Sequence, residues 1–466
     1  MKTLLYIIGL MLATTLQCLP QDSRISAQLS TQLAVDAKET GLNFPGSVKR
    51  FYIINGFHPA WIRPQDGMGK TWQAMLILDC VLQFGLAHSD YHPYELSYDS
   101  LHIMMDEPEK LGADVKARFD IILTDAMISL MNHLHYGKFN PDYTTDKIDR
   151  GQDLPFVATN KLREALLEKD LAAVLDVQPK TKLYRELQTY MQLVKGQYAG
   201  DCYEVPEDDV RLVAINMERL RWAQLDKTPY IHVNIPSYTL NLHEADSVYT
   251  FKTVVGRATD PTPTLRSAIG FFTAAPDWKV PQKVFTRELL PKALKRTTYF
   301  DENNYTVYDK AGGLVNINSQ KLKEIAKNPS GYTLRQSPEH GDAQGSVVFR
   351  FPNDFDVYLH DSPDQKVFNR EVRSLSKGSI RVQNATELAV LLLRYDDSSD
   401  QIPVVKKNIS SYLKSNFRLK TPVPISITYI TCAIKDGELV RFKDIYHLDK
   451  RLEVKLYNIT NQLVFN

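Results

Sequence analysis

The strongest constraint on this chain is a change of hydrophobic period near Lys227. Before it, apolar residues recur at helical spacing: Phe119, Leu123, Met127, Leu130 and Leu134 share one face, and Gly137 follows where a C-cap belongs. Lys70 to Leu86 and Lys161 to Val194 carry similar mixed apolar faces. After it, the pattern alternates through Ile231, Val233 and Ile235, then Leu240 and Leu242, then Tyr249, Phe251 and Thr253, which is strand periodicity. A second hairpin is predicted from Val347 to Phe351, turning at Asn353-Asp354 and returning through Phe355, Val357 and Leu359. A third spans Ile425 to Ala433, turns at Asp436-Gly437 and returns through Leu439 and Phe442. Asn384 with Glu387 three residues later predicts an N-capping box for an apolar helix, Leu388 to Leu393. The expected fold is α+β, a helical N-terminal half followed by a mainly β C-terminal half, with no internal repeat.

Composition excludes some functions. Lys+Arg number 56 against Asp+Glu 55, so no basic surface argues for nucleic acid or for an anionic membrane. Lys2, an apolar run from Leu4 to Leu16 and a polar break at Gln17 read as an export signal over residues 1–20, too short to span a bilayer. Cys18 offers lipidation as an alternative to simple export, although Thr15-Leu16-Gln17 is a poor approach to it. No later segment reaches transmembrane length. Cys80, Cys202 and Cys432 then remain, too few for a disulfide framework. His133 and His135, two apart on a helix, point to different sides and do not form a metal site.

Chemistry concentrates between His360 and Val382. His360 ends a predicted strand, and Ser379 follows in Lys377-Gly378-Ser379-Ile380-Arg381. A glycine there lets backbone approach a substrate, so that adjacent N–H groups can face a developing oxyanion. A histidine at a strand end can serve as the base for a nucleophile on a neighbouring loop. On the residues alone, a Ser/His pair and a purely structural use of both side chains stay open. Ser374 to Lys377 also has Ser-x-x-Lys spacing, but so does Ser411 to Lys414.

The stretch resembles the signature of L,D-transpeptidases, in which a histidine precedes a Ser-His-Gly-Cys or Ser-Ser-Gly-Cys box followed by an apolar residue and arginine. Tyr358-Leu359-His360-Asp361 matches the histidine end, and Ser376, Gly378, Ile380, Arg381 and Val382 match the box. Asn216 to Trp222, Val233 to Pro236, Thr262-Pro263, Pro276 to Pro281, Glu288 to Lys292, Phe351 to Asn353, Pro422 to Pro424 and Asp444 to Tyr446 follow in the family's order. Phe57 to Trp61 and Tyr136 to Phe139 resemble the scaffold domain of its large members. The resemblance implies a scaffold domain over residues 21–226, a catalytic domain over 227–450 with a lid at about 286–336, and a tail over 451–466.

It also implies acyl transfer on peptidoglycan stem peptides without metal or organic cofactor, in the periplasm or cell envelope. The nucleophile would attack the carbonyl of the third residue of a tetrapeptide stem, release D-alanine, and pass the acyl group to an amine of a second stem. Ser379 takes the nucleophile position, His360 the base, and the backbone at Gly378 and Ser379 the oxyanion hole. Arg381, Tyr358, Trp278 and Lys377 would contact substrate or order the site. Three departures stand out: serine replaces the nucleophilic cysteine, Lys377 replaces a histidine or serine, and the peptidoglycan-binding module that often interrupts the scaffold is absent. A serine hydroxyl is far less acidic than a thiol. The alternative is therefore a catalytically silent relative that binds stems and positions an active transpeptidase.

Overall fold

The computed structural model describes residues 21–35, 40–63, 68–195, 206–223, 225, 228–245, 247–337 and 344–457. The expected signal over residues 1–20, Cys18 within it and Cys202 lie outside them. The chain divides into two compact units. One comprises residues up to Gln224 with Cys432–Val440 and the segment from Asp449; the other comprises Leu225–Thr431 and Arg441–Leu448.

The first unit is helical: α1 Gln21–Gln32, α2 Pro45–Ile54, α3 Gly69–Asp79, α4 Tyr98–Asp106, α5 Ala113–Tyr136, α6 Thr145–Arg150, α7 Ala158–Leu167, α8 Lys182–Lys195 and α9 Glu207–Ala223. α5 runs through its centre, and Ile122, Leu123, Met127, Leu130 and Leu134 are fully buried along it. Gly137 closes α5 with φ +84°, as its spacing predicted. The apolar-faced stretch Lys161–Val194 is divided among α7, a 3-10 turn Leu171–Val177 and α8.

Buried carboxylates on α5 organise the loops around it. Asp120 accepts from the backbone N–H groups of Ala60 (2.9 Å), Trp61 (2.9 Å) and Ile62 (3.0 Å) and from the Tyr52 hydroxyl (2.5 Å). The Phe57-to-Trp61 motif is therefore a loop wrapped on one carboxylate. One turn along, Asp125 accepts from Asn43 N and Phe44 N, each at 2.8 Å, and pairs with His92 Nε2 at 2.6 Å. His133 is buried against the Tyr91 hydroxyl (3.0 Å), and His135 faces the Val177 carbonyl (3.0 Å).

The second unit is built on a nine-stranded sheet. Its strands are β1 Tyr230–Asn234, β2 Thr239–His243, β3 Val248–Gly256, β4 Leu265–Ala274, β9 Val347–Arg350, β10 Tyr358–His360, β11 Ser374–Ser376, β12 Ile380–Val382 and β13 Ser415–Thr428. They lie in the order β11-β3-β12-β10-β9-β4-β13-β1-β2, and β2 also pairs with β3. A smaller sheet inserted after β4 contains β5 Trp278–Lys279, β6 Tyr305–Asp309, β7 Leu314–Val315 and β8 Tyr332–Gln336, in the order β5-β8-β6-β7. It has its own core of Phe285, Leu290, Phe300, Val307, Ile325 and Leu334. The segment expected as a lid, about 286–336, falls within this insert, whose first strand is at Trp278.

Two expectations are corrected. The third hairpin is divided: Ile425–Thr428 ends β13 in the large sheet, while β14 Cys432–Lys435 and β15 Glu438–Arg441 form a separate ribbon. The helix Ala385–Tyr395 does form, but Asn384 does not cap it with its side chain. Asn384 has φ +53°, whereas side-chain capping needs an extended N-cap residue. The helix Asp449–Leu456 runs into the segment expected as a tail, and its Leu452 and Leu456 pack with Ile215 in the helical unit. Among the described residues no helix is long and apolar enough to cross a membrane, and no group of three acidic, histidine or cysteine side chains is placed to hold a metal.

Asp120→Ala would orphan three buried backbone N–H groups, while the Tyr52 hydroxyl would keep the Asp120 carbonyl and the Thr124 hydroxyl. It is expected to cost on the order of 4 kcal/mol in urea unfolding. A cost below about 1 kcal/mol would contradict this account of the loop.

Candidate active site

The site is assembled by strand register. β10 runs parallel to β12, with Leu359 opposite Ile380 and His360 opposite Arg381. β12 in turn pairs antiparallel with β3, and β10 with β9. Leu359, Ile380 and Val382 are fully buried, so each holds this register by about 1.5–3 kcal/mol of apolar burial. A one-residue slip would turn those side chains out of the core. Ser379 precedes β12 directly, and the register brings its hydroxyl to 3.2 Å from His360 Nε2.

The turn between β11 and β12 is held from several sides. Gly378 has φ +105°, a conformation that disfavours any residue with a Cβ. The Ser376 hydroxyl donates to the Ser379 carbonyl at 2.5 Å, and the Ser376 carbonyl accepts from Arg257 N at 3.0 Å. The Thr262 hydroxyl donates to the Gly378 carbonyl at 2.8 Å and accepts from Gly256 N at 2.9 Å. The Tyr446 hydroxyl accepts from Thr262 N at 3.1 Å and donates to the Gly256 carbonyl at 2.5 Å. Thr262 and Tyr446 were absent from the residues singled out by sequence. Their only signal was their place in the Thr-Pro and Asp-Ile-Tyr matches, since nothing local marks a hydroxyl that buttresses a distant turn.

Burial pulls the His360 imidazole down to about 4, and the Arg381 guanidinium beside it adds to the effect; backbone at Asp361 and Gln344 opposes both. The ring is therefore neutral at pH 7. The Tyr358 ring lies 5.4 Å from the His360 ring and carries the Arg350 guanidinium 4.8 Å above it. Asp361 accepts from Ser346 N (3.0 Å) and Ser346 Oγ (2.7 Å), bracing the end of β10. Burial also lowers the Arg381 pKa, opposed by the charge of Asp364.

His360, Ser379, Gly378, Arg381 and Tyr358 thus come together. Lys377 and Trp278 are placed differently. Lys377 forms an ion pair with Glu288 in the inserted segment. The insert is tied down again by Lys283 on Asp260 at 3.0 Å. Hydrogen bonds from Arg257 and then Lys283 hold Asp260 at about 2. Lys414 and Arg335 both pair with Asp277. Trp278 packs on the insert's own core, its ring 6.5 Å from Tyr305. Ser374 lies in a strand, so Ser374 and Lys377 do not share the helical turn that a Ser-x-x-Lys pair requires.

His360 at the C-terminal end of β10 and Ser379 just before β12 thus form a close Ser/His pair beside a positive-φ glycine. Residues 46–191 match the scaffold domain family, and residues 228–425 match the L,D-transpeptidase catalytic domain family. A Haemophilus influenzae protein named as an L,D-transpeptidase is 31% identical over 252 residues, covering 53% of this chain and 50% of the relative. The chain spans about half the length of that curated relative. The chain thus carries a scaffold domain followed by an L,D-transpeptidase catalytic domain.

The unfolded imidazole takes up its proton near 6.5 but the folded one only near 4, so between these values the unfolded state binds more protons. Stability should therefore fall as pH is lowered through this window, His360 alone accounting for about 3 kcal/mol at its acid end. His133 and His232, both pulled to about 3 by burial, act in the same direction. Urea midpoints from pH 7 to 4.5 should decline, and His360→Gln should flatten part of the slope. A flat profile would contradict the neutral buried imidazole.

Proposed function

We propose that this protein acts on peptidoglycan tetrapeptide stems as an exported L,D-transpeptidase, with Ser379 as nucleophile and His360 as its base. The observation that supports this most directly is the 3.2 Å separation of His360 Nε2 and Ser379 Oγ. It lies within reach of a proton transfer that tightens when substrate binds.

In this reading Ser379 Oγ attacks the carbonyl carbon of the third stem residue as its proton passes to His360 Nε2. The carbonyl oxygen becomes an oxyanion, received by the backbone N–H groups of Gly378 and Ser379. The tetrahedral species collapses, breaking the bond to D-alanine, whose amine leaves with the proton from His360. An ester to Ser379 remains. The amine of a second stem attacks it and gives a proton to His360, which returns one to Ser379 Oγ as the new amide forms. No metal or organic cofactor takes part. Tyr358 lines the pocket, and Arg381 orders the loop or meets a stem carboxylate. Lys377 links the nucleophile turn to the insert through Glu288, so that opening the insert would free its ammonium for substrate. Trp278 serves by packing the insert, as the base of a lid. Residues 21–226 would be the scaffold, with export directed by residues 1–20.

One observation favours a second reading, a silent protein that binds stems and positions an active transpeptidase. The base is weak, near 4, and faces a hydroxyl rather than a thiol. A thiolate can form before attack, but a serine needs its base during attack.

Mature protein, Ser379→Cys and His360→Ala should be incubated with tetrapeptide muropeptides and the products resolved by mass spectrometry. The proposal expects released D-alanine or crosslinked dimers from the native protein, abolished by His360→Ala. It expects turnover about tenfold or more faster from Ser379→Cys. Turnover by Ser379→Cys alone would establish the silent reading, and turnover by neither would remove both catalytic assignments.

A further inference from the structure

The helical unit contains a second place where donors converge with nothing to receive them. Helix α7 has ten residues and begins at Ala158 after Val157, which has extended dihedrals and supplies no side-chain cap. Asn160 N and Lys161 N bond back to the Val157 carbonyl, at 3.1 and 3.4 Å. The N–H groups of Ala158 and Thr159 have no acceptor among the described residues. An uncapped helix start carries orphan donors and a partial positive charge.

This end of α7 borders a partly open cavity lined also by Ser47, Arg50, Asn132 and Phe156. Asn132, near the C-terminal end of α5, is 1% exposed, and neither its Nδ2 nor its Oδ1 has a hydrogen-bond partner. A buried amide left unpaired costs about 1–3 kcal/mol, a cost that a bound polar group would relieve. Arg50, half-buried on α2, donates to Ser47 Oγ at 2.9 Å and to the Arg150 carbonyl at 3.4 Å. Among the described residues it has no ion-pair partner. The nearby Asp149 carboxylate is engaged by Gly46 N (2.9 Å) and Ser47 N (2.7 Å) at the start of α2. The cavity therefore gathers a guanidinium, an amide and a helix start around one space.

We infer that this cavity binds a single oxyanion group, and a carboxylate in particular, between Arg50, Asn132 and the start of α7. Its enclosed part holds about one water-sized group, so only the charged head of a ligand enters and the rest extends through the opening. A free small anion and the carboxyl end of a peptide share this chemistry. The site is separate from the Ser379 turn, and the inference does not depend on that turn being active.

The full mature chain should be titrated calorimetrically with acetate, inorganic phosphate and N-acetyl-D-alanine at fixed ionic strength in chloride. Saturable binding of at least one probe is expected, weakened about tenfold by Arg50→Gln and abolished by Asn132→Leu. Tighter binding of N-acetyl-D-alanine than of acetate would identify a peptide end as the ligand. Equal or tighter binding of acetate or phosphate would identify a free anion. Asn132→Leu should hold or raise stability without anion, since it removes an unpaired amide, and Arg50→Gln gives an independent reading should it fail to fold. No saturable binding up to about 100 mM, or binding that Arg50→Gln leaves unchanged, would overturn the inference.

Discussion

The parallel pairing of Tyr358–His360 with Ile380–Val382 is the contact on which the site depends. Two three-residue strands, 19 residues apart at His360 and Ser379, are held in one register by buried Leu359, Ile380 and Val382. Neither strand could hold that register alone. β9 and β3 flank the pair, so the large sheet supplies the stability and the short strands supply the position. The hydroxyls of Thr262 and Tyr446 then tie the turn at Gly378 to Gly256, the last residue of β3.

The same burial that fixes the register sets the chemistry. His360 sits where water is excluded and where Arg381 adds a like charge, so the imidazole stays neutral. A neutral ring can accept a proton across the whole physiological range, but it draws that proton weakly. With a thiol opposite, such a weak base would suffice, because much of the acidity comes from sulfur itself. With Ser379 opposite, the proposed reaction would lean on positioning and on the backbone donors near Gly378. Whatever the turnover, Ser379, His360 and the positive-φ Gly378 stand together as a unit.

Much of this was legible in the sequence, for physical reasons that differ by element. The change of period near Lys227 gave the two architectures because one-sided burial imposes its repeat on a long segment, as α5 and the run from Tyr230 to Thr253 show. The His360–Ser379 pairing was readable only through the family's motif order, since spacing alone cannot tell a parallel register from a loop. Side-chain partnerships were not legible. Asn384 occupies a left-handed conformation that its capping-box neighbours do not reveal. Lys377 meets Glu288 across 89 residues of sequence, and Trp278 packs into an insert whose core is local to itself. The helix at Leu452 and Leu456 was missed because it is short and polar, and it is helical by packing against Ile215 rather than by pattern.

The central claim is that the hydroxyl of Ser379, held beside His360, can accept an acyl group. The most direct measurement is the intact mass of the mature protein after brief acid quench from a tetrapeptide stem, with the adduct mapped by peptide sequencing. The account predicts an ester of the tripeptide acyl group on Ser379, absent from His360→Ala. An unmodified protein under conditions where Ser379→Cys forms the corresponding thioester would contradict it.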